Sequence, residues 1–316
     1  MAKADDARVA LIEETTPGTT PATPAFQLMR VISDTLKEES EAESSEELSS
    51  DRGVVNQIDG GRRVSGEIST YLFANDEFEL LLGSLFGNTW ATNSLTPSNT
   101  VRTFTYEKGQ QLTGPTWKIQ SFKGIGINSL EIDCQAQQPA RVSLGVVGGE
   151  LHKRDAIETG ASYSGPTPTP ANAFPMRTAD MTFTWGGGYS ALTTANTCHT
   201  AARLSINGNA DVRQCLTVAS ASEWEPGKFT GELEVTLLLT NESWDLVDDW
   251  KNGTEGSCSI VFADQAGTPN TYTFDLNRLK IRDANIPLPG TSQDILATVV
   301  FEILQPSGGD AVEITR

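Results

Sequence analysis

The clearest pattern along the chain begins after Arg63, where Ile68, Thr70 and Leu72 alternate with Glu67, Ser69 and Tyr71. A two-residue period of this kind predicts a strand with one buried and one polar face. Helical spacing follows at once. Phe78, Leu81, Leu82 and Leu85 fall on one stripe, Asp76 stands where a carboxylate can cap free amides with Glu79 three residues on, and Gly87 marks the end. This predicts a short amphipathic helix packed on a sheet. Further strands are expected at 101–106, 116–122, 126–133 and 141–147, separated by Gly-containing turns. Upstream, 26–36 alternates less cleanly, with Val31, Ser33 and Thr35 set against Arg30, Ile32, Asp34 and Leu36.

Three stretches interrupt the periodicity. Thr and Pro dominate 15–25, which should run extended because Pro fixes φ and removes a donor. Residues 37–51, KEESEAESSEELSSD, carry acids among serines with too little apolar surface to offset the entropy of ordering, so a long loop, mobile in the monomer, is expected over 37–63. The segment 160–173 has linker composition. The expected organisation is therefore an extended arm at 1–25, a first domain at 26–159, a linker at 160–173 and a second domain at 174–316.

The second domain repeats the first. Ser65–Leu72, SGEISTYL, matches Thr230–Leu237, TGELEVTL, and each is followed by an acidic helix start, NDEFEL at Asn75–Leu80 and NESWDL at Asn241–Leu246. Trp244, Val247 and Trp250 are spaced three apart and should form the apolar face of the second helix. Strands are expected again at 257–263, 271–276 and 295–304. Shared element order around a shared octapeptide points to duplication. The fold class is mainly β: two tandem β-sandwich or barrel domains, each with a short α-helix on its sheet.

Composition narrows the chemistry. A formal net charge of −18 in 316 residues argues against tight nucleic-acid docking, which needs Lys and Arg to neutralise phosphates. The opening MAKADDARVA lacks the apolar core of a secretion signal, and no apolar run nears the ~20 residues of a membrane span, so a soluble protein made in the cytoplasm is expected. Cys134, Cys198, Cys215 and Cys258 form no CxxC pair and read as reduced thiols, not as a metal site. His152 and His199 are the only histidines, Cys198 and His199 are neighbours that a strand would point to opposite faces, and no phosphate-binding glycine motif occurs. Gly186, Gly187 and Gly188 read as a flexible turn. No enzyme, cofactor or metal site is expected. The competing class is a carbohydrate-binding or other surface-recognition β-sandwich, with Trp90, Trp117 and Trp185 as its platform.

Arg30–Leu72 has a strand, a charged loop ending in Ser50-Asp51-Arg52, and a Gly-rich return to Gly66 and Glu67. With Gly87-Asn88-Thr89-Trp90, FTYEKG, FKGIGINSLEID and VSLGVVG, this order resembles the tail tube proteins of long-tailed phages. The resemblance covers roughly residues 25–150 and reaches the rest through the repeat. It implies a structural virion protein, assembled in the host cytoplasm, that polymerises into stacked rings as a conduit for DNA ejection. It also implies tail terminator, tail-tip and tape measure proteins as partners, with phage DNA passing without specific binding and no membrane contact. Such rings hold six tube domains, so a two-domain chain could close one with three subunits; six chains per ring is the alternative. Alternation places Glu67, Ser69, Glu232, Glu234 and Thr236 on polar strand faces that line the lumen in such proteins, or else face outer solvent. Leu48, Asp51, Arg52, Val54, Val55 and Ile58 are the candidate contacts between stacked rings.

Overall fold

The computed structural model describes residues 7–44, 56–111, 116–166, 176–193, 196–213, 223–264 and 270–316. Its N-terminal half contains β1 (Ala7–Glu13), β2 (Ala25–Met29), β3 (Ser33–Asp34), β4 (Lys37–Ser44), β5 (Gln57–Tyr71), α1 (Asp76–Phe86), β6 (Ser94–Leu95), β7 (Phe104–Gln111), β8 (Trp117–Gln135), β9 (Arg141–Arg154) and β10 (Ser162–Ser164). The C-terminal half contains β11 (Thr182–Gly187), β12 (His199–Asn207), β13 (Asp211–Arg213), β14 (Glu223–Glu225), β15 (Thr230–Leu238), α2 (Asn241–Asn252), β16 (Glu255–Ala263), β17 (Thr271–Asn285), β18 (Leu296–Ile303) and β19 (Val312–Thr315). The fold is mainly β.

The run β5, α1, β7, β8, β9 is a strand, a helix and an antiparallel meander whose last strand returns beside the first. The run β15, α2, β16, β17, β18 has the same pairing order. β1 adds to the outside of β7 as β11 adds to the outside of β16. The octapeptides matched in the sequence are the strands that open these two runs.

Long strands bend from one layer to another at glycines. Gly124, Gly148 and Gly149 have φ of 66°, 96° and 73°, and a Cβ on Gly149 would collide with the Lys123 carbonyl. Only glycine combines a left-handed backbone with that approach. The alternation then sorts side chains as expected. Ile68 lies opposite Leu144, Leu144 opposite Leu130 and Leu130 opposite Ile206, all buried. α1 closes one end of this core with Phe78, Leu81, Leu82, Leu85 and Phe86.

The two halves are joined by a continuous sheet. β8 pairs antiparallel with β12 from Ser129 opposite Asn207 to Gln135 opposite Ala201. Three further contacts reinforce this seam. Trp224 of β14 covers Gly126 and Gly148, where a Cβ on Gly126 would collide with the indole. Phe86 meets Phe229 edge-on at 5.4 Å. Beyond α1, Phe78 and Trp90 pack on Tyr272, and Arg316 bridges to Glu79.

Several expectations are revised. The cap of α1 is Asn75, whose side chain accepts from Phe78 N at 2.9 Å, and Asp76 lies inside the first turn. Residues 7–13, expected as arm, are the in-sheet strand β1, held between β2 and β7. Ser162–Ser164, expected as linker, pair in parallel with β2, while 167–175 lie outside the described residues. Lys37–Ser44 and Gln57–Arg63, expected as mobile loop, pair as a two-stranded ribbon. Backbone hydrogen bonds across a ribbon do not require apolar side chains, which is why composition alone missed them. The strands expected at 116–122 and 126–133 are one strand, β8. Gly186 and Gly187 finish β11 opposite Ser257 and Gly256, leaving only Gly188 to open a turn.

The second helix presents another face than expected. Ser243 and Leu246 are its buried residues, whereas Trp244 is 58% and Trp250 40% exposed. Ser243 is drawn inward because its hydroxyl accepts from Thr240 N at 2.8 Å and lies 3.2 Å from the Leu238 carbonyl. That fixes the rotation of the helix and turns both tryptophans outward.

Candidate assembly interface

The polar face of the layer that spans the seam is built row by row. Ser69 lies opposite Ser143, Ser143 opposite Glu131, Glu131 opposite Ser205, Ser205 opposite Glu232, Glu232 opposite Glu302 and Glu302 opposite Lys280. A neighbouring row runs from Arg141 through Asp133, Arg203 and Glu234 to Val300 and Asp283. Because side chains alternate across a strand, these rows share the face opposite the core. Glu67, Ser69, Glu232, Glu234 and Thr236 are thus brought onto one surface that crosses both halves.

Local pairs order this face. Ser69 donates to Glu67 at 3.1 Å, Thr236 and Thr298 hydroxyls lie 3.5 Å apart, and Arg282 pairs with Glu232. Arg203 of β12 pairs with Glu131 of β8 across the seam, and that carboxylate raises the Arg203 pKa. Acids outnumber bases in and beside these rows: Glu67, Glu131, Asp133, Glu232, Glu234, Asp283 and Glu302 stand against Arg141, Arg203, Lys280 and Arg282. Sequence reasoning found the β5 and β15 positions but missed those on β8 and β12, because the seam that aligns them is a long-range pairing with no local signature.

Of the candidate stacking residues, Ile58 lies in β5 opposite Glu43. Leu48, Asp51, Arg52, Val54 and Val55 lie outside the described residues. The ribbon base is fastened by Glu38, which accepts from Leu151 N at 3.0 Å.

Neither histidine lies in these rows. His199 stacks on Phe183 with ring centroids 4.3 Å apart and lies near Trp185; burial pushes its pKa down to about 4. Cys198 beside it is exposed, and His152, on β9, pairs with Glu150. Burial raises the Cys134 thiol to about 12 and that of Cys258 further still. Among the described residues no group of three or more His, Cys, Asp or Glu side chains is placed to hold a metal ion. The proposed tryptophan platform is dispersed: Trp185 is buried among aromatics, and Trp90 is partly buried with its indole donating to the Glu79 carbonyl at 3.1 Å. No helix among the described residues is long and apolar enough to cross a membrane.

A β layer that runs through both halves and carries one continuous polar face has the make-up of a structural protein. The chain belongs to the phage tail tube protein family, whose model matches residues 4–303. It is a structural subunit of a phage tail tube, and the carbohydrate-binding alternative has no support. No curated protein matches the chain in sequence.

Proposed function

We propose that each chain supplies two tube units to a ring, that three chains close the ring with pseudo-sixfold symmetry, and that the polar face described above lines the lumen. The observation that carries this reading is the unbroken row from Ser69 to Lys280, which already crosses one junction between halves. Repeating the same junction between chains continues the row around a closed ring. Closure also satisfies backbone donors and acceptors that a terminal strand leaves open.

An acid-rich lumen suits DNA passage. Like charges repel within the ~8–10 Å Debye length, and with few cations presented little counterion is released on contact, so DNA slides without being retained. The ribbon of β4 and β5, with the 37–63 segment it carries, is the proposed contact between stacked rings, through Leu48, Asp51, Arg52, Val54, Val55 and Ile58. Tail terminator, tail-tip and tape measure proteins are the proposed partners at the tube's ends and in its bore, and the host cytoplasm is the proposed place of assembly.

Deleting residues 45–55 tests the stacking role. Rings that form but no longer elongate, seen by negative-stain microscopy, are the expected result. Tubes of ordinary length would remove the ribbon from the stacking interface.

A further inference from the structure

Exposed apolar side chains mark surfaces that want a partner. Among the described residues the large ones are Ile32 (47% exposed), Ile157, Trp244, Trp250 and Leu288 (84%). Their placement follows from the pairing registers. Ser33 lies opposite Ser69, and Arg203 lies opposite Glu234, the repeat counterpart of Ser69, so Ser33 corresponds to Arg203 and Ile32 to Ala202. On the other side Asp133 pairs with Arg141 and Arg141 with Tyr71, while Asn285 pairs with Thr298 and Thr298 with Thr236, the counterpart of Tyr71. Asp133 therefore corresponds to Asn285, and Cys134 to Ile286.

Within the chain, Cys134 and Ala202 face each other across the β8–β12 seam and are buried. Their counterparts Ile286 and Ile32 lie at opposite ends of the same layer, with Ile32 exposed and Leu288 just beyond Ile286. We infer that the internal seam is the template for the seam between chains: Asp283–Ile286 of one copy pairs antiparallel with Ile32–Thr35 of the next, setting Ile286 against Ile32 and Asn285 against Ser33. This deepens the ring reading above and rests on it.

A second contact points the same way independently. At the internal seam, Glu79 of α1 meets Tyr272 and Arg316 of the other half. Counting from the helix caps, Asn75 and Thr240, the residue at the Glu79 position of α2 is Trp244. Tyr272 opens β17, which pairs there with β19, and Arg316 follows β19; their counterpart in the N-terminal half is the start of β8 and the end of β9, where β9 extends to Arg154 against Ile119. Trp244 therefore seats on that region of the next copy, where Ile157 follows β9. One seam thus brings Ile32, Leu288 and Trp244 into contact, and its occupant is a second copy of this chain.

The test is a cysteine pair, Ile32→Cys with Ile286→Cys, in a Cys198→Ser, Cys215→Ser background that removes the exposed thiol among the described residues and the one outside them. Directly opposed strand residues have Cβ atoms about 4.5–5.5 Å apart, close enough for mild oxidation to bridge them with small backbone adjustment. A covalent ladder ending at three chains, absent from either single variant, is expected. As a second measurement, Ile32→Glu and Trp244→Glu, both at exposed positions, should give folded protein that sediments as monomer where the parent assembles. A ladder running past three supports the seam and overturns the trimeric ring. Parent rings that form without cross-linking, with both Glu variants still assembling, overturn the seam alone. A parent that stays monomeric at high concentration overturns the ring reading and the seam with it.

Discussion

Cys134 and Ala202 stand directly opposite each other, both buried, where the N-terminal half of the chain meets the C-terminal half. Small side chains here let two sheets merge into one without a gap. An arginine at this point would force a charge into a closed apolar contact. Ala202→Arg is expected to destabilise the chain by about 3–4 kcal/mol, measured as a drop in the urea midpoint; an unchanged midpoint would mean that the halves are not held by this pairing.

Gly126 and Trp224 make a second fastening of the same seam, since no side chain fits beneath the indole. Gly126→Val should expel Trp224 from its seat. The expected readout is a red-shifted tryptophan emission with a loss of roughly 1–3 kcal/mol in stability, and an unshifted spectrum would count against the contact.

Glu14 is a buried carboxylate that accepts from Gly18 N at 2.7 Å, Thr103 Oγ1 at 2.8 Å, Thr105 Oγ1 at 2.7 Å and Gly124 N at 3.0 Å. It ties the segment after β1 to β7 and to the bend of β8. Glu14→Ala leaves four donors without their acceptor and should cost about 2–4 kcal/mol by denaturant unfolding. A loss below ~1 kcal/mol would show that water replaces it.

His199 supplies a pH dependence of definite sign. Its pKa in the folded chain is about 4, below the ordinary 6.5, because burial among Phe183 and Trp185 disfavours the cation. The unfolded chain therefore takes up the proton first. Stability contributed by the neutral ring is intact above pH 6.5 and falls as pH drops towards 4, by roughly 3 kcal/mol at most. In His199→Phe this component is absent, so the stability difference between variant and parent should shift in the variant's favour between pH 7 and pH 4. A difference independent of pH would contradict the buried setting.

Much of the fold was legible because it is written in local periodicity. Ile68 and Leu72 alternate with polar neighbours, Phe78 to Leu85 follow helical spacing, and the two octapeptides open matching runs of elements. What stayed hidden depends on distant partners. β12 carries a buried set, Ala202, Leu204 and Ile206, whose role emerges only when β8 pairs beside it. The ribbon at Lys37–Ser44 looks unstructured by composition because its cohesion is backbone hydrogen bonding. Spacing alone places Trp244 and Trp250 on the apolar face of the helix, whereas the capping hydroxyl of Ser243 turns them outward. The polar face was half visible: Glu67 and Glu234 could be placed on strand faces, but not on the same one.

Cryo-microscopy of the assembled tube tests the central claim most directly. Three chains per ring are predicted, with six similar units around the bore and Ser69, Glu131, Glu232 and Glu302 facing it. Six chains per ring, or a bore lined by other strand faces with these carboxylates on the outer surface, would contradict it.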